Sequence, residues 1–190
     1  MTAVPVAERM TADEYLARDN EDRRTQLIDG EIVMDEPRPL HQALVSHLYI
    51  ALTDWMRAGP SRGRAWLPLD VVIDTYNVYA PDLLWYADDR GPGRRDNRPS
   101  PIPDVAVEVR SPSTWRHDVG TKTSGYERAG LRELWLIDSA ADEVLVFRRS
   151  APDVPAFDVS LRIGRDETLT SPSLPGFALA LDTLFTEEDH

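Results

Sequence analysis

Glu108 stands in the middle of Asp104-Val-Ala-Val-Glu-Val-Arg110, where every second residue is a valine. As a strand, this segment points Val105, Val107 and Val109 to one face and Asp104, Ala106, Glu108 and Arg110 to the other. A carboxylate between valines is costly in mid-strand unless it is paired or bound to a cation. Asp104 is a poor partner for a shared ion, because four residues of strand place it ~13 Å away. A second acid must come from a neighbouring strand. Asp82, after Pro81 at the head of Leu83-Leu-Trp-Tyr86, has that position. Acids on adjacent strands supply hard oxygen ligands for Mg²⁺ or Mn²⁺.

Lys122 is the third candidate. The chain carries 21 basic residues, and Lys122 is the single lysine among arginines. Arg and Lys are not equivalent at a site, so a chain that keeps one ammonium draws attention to it. Lys122 lies four residues after Asp118 and four before Tyr126, which puts all three on one helix face. An ammonium reaching Glu108 from there would stabilise charge developing on a phosphate.

Each residue also has a purely structural reading. Asp82 after Pro81 is a common turn pair. Glu108 is satisfied equally by Arg110 or Arg128, Lys122 by water, and Asp118 by capping a helix. His41 opens a helix, where it either caps that helix, the favoured reading, or lines a cleft. Arg94, Arg95 and Arg98 make the 88–101 loop locally basic, a phosphate-contacting or simply solvated segment.

The elements that must position these residues follow from periodicity. Thr11-Ala-Asp-Glu14 is a capping box opening a short helix, and a charged stretch runs from Arg18 to Arg24. Asp29-Gly30 turns a hairpin over Thr25–Met34. Leu44, Val45, Leu48, Leu52 and Trp55 recur at helical spacing between His41 and Ala58. Strands are expected at Ala65–Asp74 and Pro81–Ala87, joined by Thr75–Ala80, and again at Asp104–Arg110. A helix follows from about Asp118 to Ala129. Further strands are expected at Glu133–Asp138, Glu143–Phe147 and, more weakly, Ala156–Ile163, with Leu174–Phe185 closing the core and Glu187–His190 a solvated tail. This order predicts an α/β (α+β) single domain over residues 1–190, a mixed sheet flanked by helices.

Composition removes whole classes of function. Cysteine is absent, so disulfides, thiolate nucleophiles, thiolate zinc sites and iron–sulfur clusters are excluded. The net charge of −12 argues against a nonspecific nucleic-acid coat protein, although an enzyme needs only a local basic surface. No apolar run approaches the ~20 residues of a membrane span, and the first residues lack a signal-peptide pattern, so a soluble cytoplasmic protein is expected.

Several segments together carry a family resemblance: Gln26-Leu-Ile-Asp-Gly-Glu31, Pro39-Leu-His41, Pro81-Asp82-Leu83, Glu108-Val-Arg-Ser-Pro-Ser113, Asp118-Val-Gly-Thr-Lys122, Tyr126-Glu-Arg-Ala-Gly130 and Glu133-Leu-Trp-Leu-Ile-Asp138. In order and spacing the chain resembles the Uma-type restriction endonucleases of the PD-(D/E)XK superfamily, from about Thr11 to Phe185. The resemblance implies a restriction-endonuclease-like core and a metal-dependent endonuclease acting on nucleic acid, DNA before RNA. It implies Asp82 and Glu108 as metal-binding catalytic acids, Mg²⁺ or Mn²⁺ as cofactor, and Lys122 as a catalytic lysine moved onto the following helix. Arg110 occupies the superfamily's usual lysine place. His41 and Asp118 are auxiliary candidates, and a homodimer is compatible with cutting two strands. Family members commonly carry Glu where this chain has Gln26, which keeps an oxygen ligand and loses a charge. A nuclease fold that binds DNA or a protein partner without catalysis is the alternative.

Overall fold

The Thr11 hydroxyl accepts the Glu14 backbone N–H while the Glu14 carboxylate accepts the Thr11 N–H, and this reciprocal cap opens α1 (Ala12–Leu16). The structure, a computed structural model, describes residues 9–18, 25–96 and 99–186. Most of the charged stretch before Thr25, together with Arg98 and the Glu187–His190 tail, lies outside the described residues. Strands β1 (Thr25–Ile28) and β2 (Glu31–Met34) form the expected hairpin. Asp29 and Gly30 both take positive φ, 52° and 80°, the tight turn whose twist matches the flanking strands. Pro39 then starts α2 (Pro39–Arg57), where a missing N–H costs nothing.

The segment 65–74 is not one strand. It splits into β3 (Arg64–Trp66) and β4 (Val71–Asp74), which belong to different sheets. Pro68 between them has no N–H for a ladder. The expected connector 75–80 contains β5 (Asn77–Tyr79), fully buried and too short to show a period. β6 (Leu83–Tyr86) and β7 (Val105–Val109) follow. Helical structure then begins at α3 (Trp115–His117), widens into a π turn over Asp118–Lys122 and continues as α4 (Thr123–Arg128). The chain ends through β8 (Glu133–Asp138), β9 (Glu143–Arg148), β10 (Val159–Gly164), β11 (Thr168–Thr170), β12 (Ala178–Ala180) and α5 (Leu181–Leu184). Strand β11 has no counterpart in the sequence expectations.

Among the described residues the strands form a six-stranded mixed sheet, β10-β9-β8-β7-β6-β3, a four-stranded sheet, β2-β1-β5-β4, and a small pair, β11-β12. The valine face of β7 packs with Trp135 and Ile137 of β8 and with Leu44, Leu48 and Leu52 of α2. The opposite face holds Ala106, Leu134 and Leu136 against Ile28 and Tyr79 of the smaller sheet and Tyr126 of α4. Strands β7 and β8 run parallel, so the chain between them must cross over one face of the sheet, and α3, the π turn and α4 make that crossing. This connection brings Lys122 back over Glu108. Among the described residues no helix is long and apolar enough to cross a membrane.

Candidate active site

β6 and β7 are antiparallel neighbours, with Leu83 opposite Val107 and Leu84 opposite Ala106. One further step of that register sets Asp82 opposite Glu108, on the face away from the valines. Asp82 does not end in a solvent turn. It is 8% exposed, and its Oδ2 accepts the Val109 backbone N–H at 2.7 Å, holding the end of β7 where β6 stops. Its Oδ1 lies 3.1 Å from His41 Nε2.

His41 corrects the capping reading. Arg38 is the N-cap of α2, no side chain bonds there, and His41 sits buried one turn in, facing Asp82. Burial alone would lower its pKa, but the hydrogen bond and charge of Asp82, with Asp35 and Glu108 nearby, raise it overall. Asp35, just beyond β2, completes a group in which Asp35, His41 and Asp82 each present a ligand atom within 4.8 Å of the others. Burial and the Asp82 charge raise the Asp35 pKa. These residues and Gln26 line a cavity of about 180 Å³. Gln26 is buried on β1, and its Oε1 accepts the Ala80 N–H at 3.1 Å, tying that strand to the segment that carries Asp82.

Glu108 belongs to a second, adjoining network. Its Oε1 lies 2.6 Å from Lys122 Nζ and accepts the Tyr126 hydroxyl at 2.6 Å. Lys122 Nζ is also 3.0 Å from Asp118 Oδ1, and Lys122 is fully buried. The helix-face spacing of Asp118, Lys122 and Tyr126 is thus realised, through a π turn of the kind often found at functional sites. Asp118 does not act as an N-cap. It is buried, bonded to Lys122 and to the Thr114 hydroxyl at 3.1 Å. Burial pushes Glu108 up to about 8 against the pull of the Lys122 ammonium, with the charges of Asp118 and Asp82 adding to the rise. Burial would lower Lys122, yet Asp118 and Glu108 outweigh it and hold the ammonium charged.

The structural alternatives for Glu108 fail on geometry. Arg110 pairs with Asp138 at 2.7 Å, and Arg128 lies 4.0 Å from Asp74. Asp104 sits at the other end of β7, accepting the Ala87 N–H and pairing with Arg90. Arg94 and Arg95 are exposed, in the loop that leaves β6 at Tyr86, the end opposite Asp82. The structure therefore does not bring that loop together with the acids.

Sequence reasoning missed Asp35, Ser111 and Thr114. Ser111 accepts the Thr114 N–H and its hydroxyl meets that of Thr114 at 2.8 Å, a short polar chain leading to Asp118. Ser-Pro-Ser before a helix carries that signal, since Ser hydroxyls bond nearby backbone. Asp35, between a strand and two prolines, carries none.

A divalent cation fits Asp35, His41 and Asp82, whereas Glu108 and Asp118 face the Lys122 ammonium; Asp35 Oδ1 and both His41 ring nitrogens are buried without a well-formed hydrogen bond.

The architecture is that of a nuclease-like α/β domain. The chain matches the crystal structure of "a putative nuclease belonging to DUF820" from Anabaena variabilis ATCC 29413 with a TM-score of 0.76, at 21% identity, over 93% of this chain and 97% of that one. The family is narrower: residues 12–182 match the family described as "Uma2: Putative restriction endonuclease", and the chain belongs to it. Comparison with curated proteins finds no match.

Proposed function

We propose that this protein is an endonuclease that hydrolyses phosphodiester bonds of nucleic acid, DNA first, and depends on Mg²⁺ or Mn²⁺. One observation carries this: buried Asp82 directly precedes β6 and buried Glu108 lies on its neighbour β7, with the only lysine of the chain 2.6 Å from Glu108. Asp82 and Glu108 would hold the ion, with Gln26 supplying a neutral oxygen. The chemistry a bound divalent cation supplies is polarisation of a phosphate and activation of water at neutral pH.

The remaining work falls to the chain's own residues. Asp118 keeps Lys122 charged whichever way Glu108 is engaged, so the ammonium persists beside the place where phosphate charge develops. Tyr126 holds the Glu108 carboxylate in one orientation through its hydroxyl. Asp82, clamped by the Val109 N–H, needs little reorganisation to act.

Plasmid nicking in Mg²⁺ tests the reading. Asp82→Ala and Glu108→Ala should each lower the rate by about 10²–10³-fold, the scale of losing a preorganised charge, with folded circular-dichroism spectra. Undiminished cutting in either variant removes the assignment. A second reading, a nuclease fold that binds nucleic acid without cutting it, draws on Gln26, which brings no charge to the site and already accepts the Ala80 N–H. Retarded migration of DNA by a wild-type protein that never nicks it would select that reading.

A further inference from the structure

We propose that Asp35 and His41 are, together with Asp82, side-chain ligands of one divalent cation, and that the imidazole biases this site toward Mn²⁺ over Mg²⁺. The proposal deepens the endonuclease reading and rests on its placement of a cation at Asp82.

Three segments remote in the chain converge here: the residue after β2, the first turn of α2 and the residue before β6. Their ligand atoms lie within 4.8 Å of one another, the span of donors around a single ion. Asp35 Oδ1 and both ring nitrogens of His41 are buried without a well-formed hydrogen bond, Nε2 lying beside Asp82 Oδ1 at 3.1 Å, and His41 is only 5% exposed. Such atoms are costly when buried. A cation supplies what is missing. Glu108 Oε1 already faces an ammonium and a hydroxyl, so Glu108 would meet the ion through its other oxygen.

The donor set also selects the ion. Mg²⁺ favours oxygen ligands and retained water, whereas affinity for a site containing imidazole nitrogen rises along the transition series. Between the two ions, one nitrogen with two carboxylates favours Mn²⁺ over Mg²⁺.

The test uses the full chain freed of metal, titrated with Mn²⁺ and Mg²⁺ by calorimetry, and electron spin-echo spectroscopy of the Mn²⁺-loaded protein. The expected results are Mn²⁺ binding at least tenfold tighter than Mg²⁺ and a ¹⁴N coupling that disappears in His41→Gln. Asp35→Asn, which preserves shape, and Asp35→Ala should each weaken Mn²⁺ binding tenfold or more. Absence of the ¹⁴N coupling, or unchanged Mn²⁺ affinity in both Asp35 variants, overturns the inference. If Mn²⁺ binding is lost only in Asp82→Ala and Glu108→Ala while wild type nicks DNA, the inference falls and the endonuclease reading stands. A ¹⁴N-coupled ion in a protein that cuts nothing has the reverse meaning.

Discussion

Lys122 Nζ lies 2.6 Å from Glu108 Oε1, although one residue sits in mid-strand and the other ends a π turn fourteen residues later. The parallel pairing of β7 with β8 requires a crossover, and the crossing helix lies on the sheet face that Glu108 shares with Ala106. Three contacts then join these buried groups: Lys122 with Glu108, Lys122 with Asp118, and the Tyr126 hydroxyl with Glu108.

That burial changes what a lysine substitution should do. Viewed as a catalytic helper alone, Lys122→Met costs rate more than stability. With the ammonium fully buried between two carboxylates, the substitution leaves Asp118 and Glu108 without a cation. Urea unfolding should show a loss of about 3–5 kcal/mol, the range for breaking a buried pair. The double variant with Glu108→Gln should recover part of it, because the two residues are coupled. A loss below about 1 kcal/mol would mean that water reaches this pair.

Stability should fall as pH rises from about 5 to 8 in the metal-free protein. Glu108 is raised from 4.5 to about 8, and Asp35 and His41 are raised as well, so the folded state holds protons that the unfolded chain has released. Their contribution is complete below the unfolded carboxyl range and is lost as pH climbs through the folded values, with a slope of about 1.4 kcal/mol per proton per pH unit. Lys122 is raised above an already basic value and adds nothing within this window. Urea midpoints between pH 5 and 8.5 measure the slope, and Glu108→Gln should flatten it. A slope of opposite sign would place the extra protons elsewhere.

Gly125 should not tolerate a side chain. A Cβ there would meet the Tyr79 hydroxyl at 2.5 Å and its ring carbon Cε2 at 2.9 Å. Tyr79 in turn packs edge-on against Tyr126, with ring centroids 5.1 Å apart. Ala gains about 1 kcal/mol of helix preference over Gly, while overpacking costs about 1–3 kcal/mol. Gly125→Ala should therefore lower the melting temperature, and less so in a Tyr79→Phe background. A melting temperature at or above wild type would show that the ring yields freely.

We expect the exposed Arg94 and Arg95 to meet nucleic acid at its phosphates, away from the acids. If they do, Arg94→Ala and Arg95→Ala should weaken DNA binding uniformly across sequences, each reducing the salt slope by about 1. Identical slopes in wild type and variants would leave the loop merely solvated.

The chain's local chemistry was legible wherever periodicity or a turn residue carried it. The Thr11 capping box, the Asp29-Gly30 hairpin, the amphipathic α2 and the valine face of β7 depend on neighbours a few residues away, and the structure contains each of them. Where three-residue strands or a proline intervened, pattern failed. The split of 65–74 between two sheets and the strand over Asn77–Tyr79 depend on pairing with distant partners.

The sequence by itself determined which side chains were out of place: an acid among valines, one lysine among arginines, and three residues spaced to share a helix face. Only the tertiary structure decided their company. It turned His41 from the helix end toward Asp82, brought in Asp35, and gave Arg110 to Asp138 rather than to Glu108. The reason is physical. Spacing along a chain fixes which face a side chain takes within its own element, whereas the atoms that satisfy it are chosen by sheet order and by where each connection crosses.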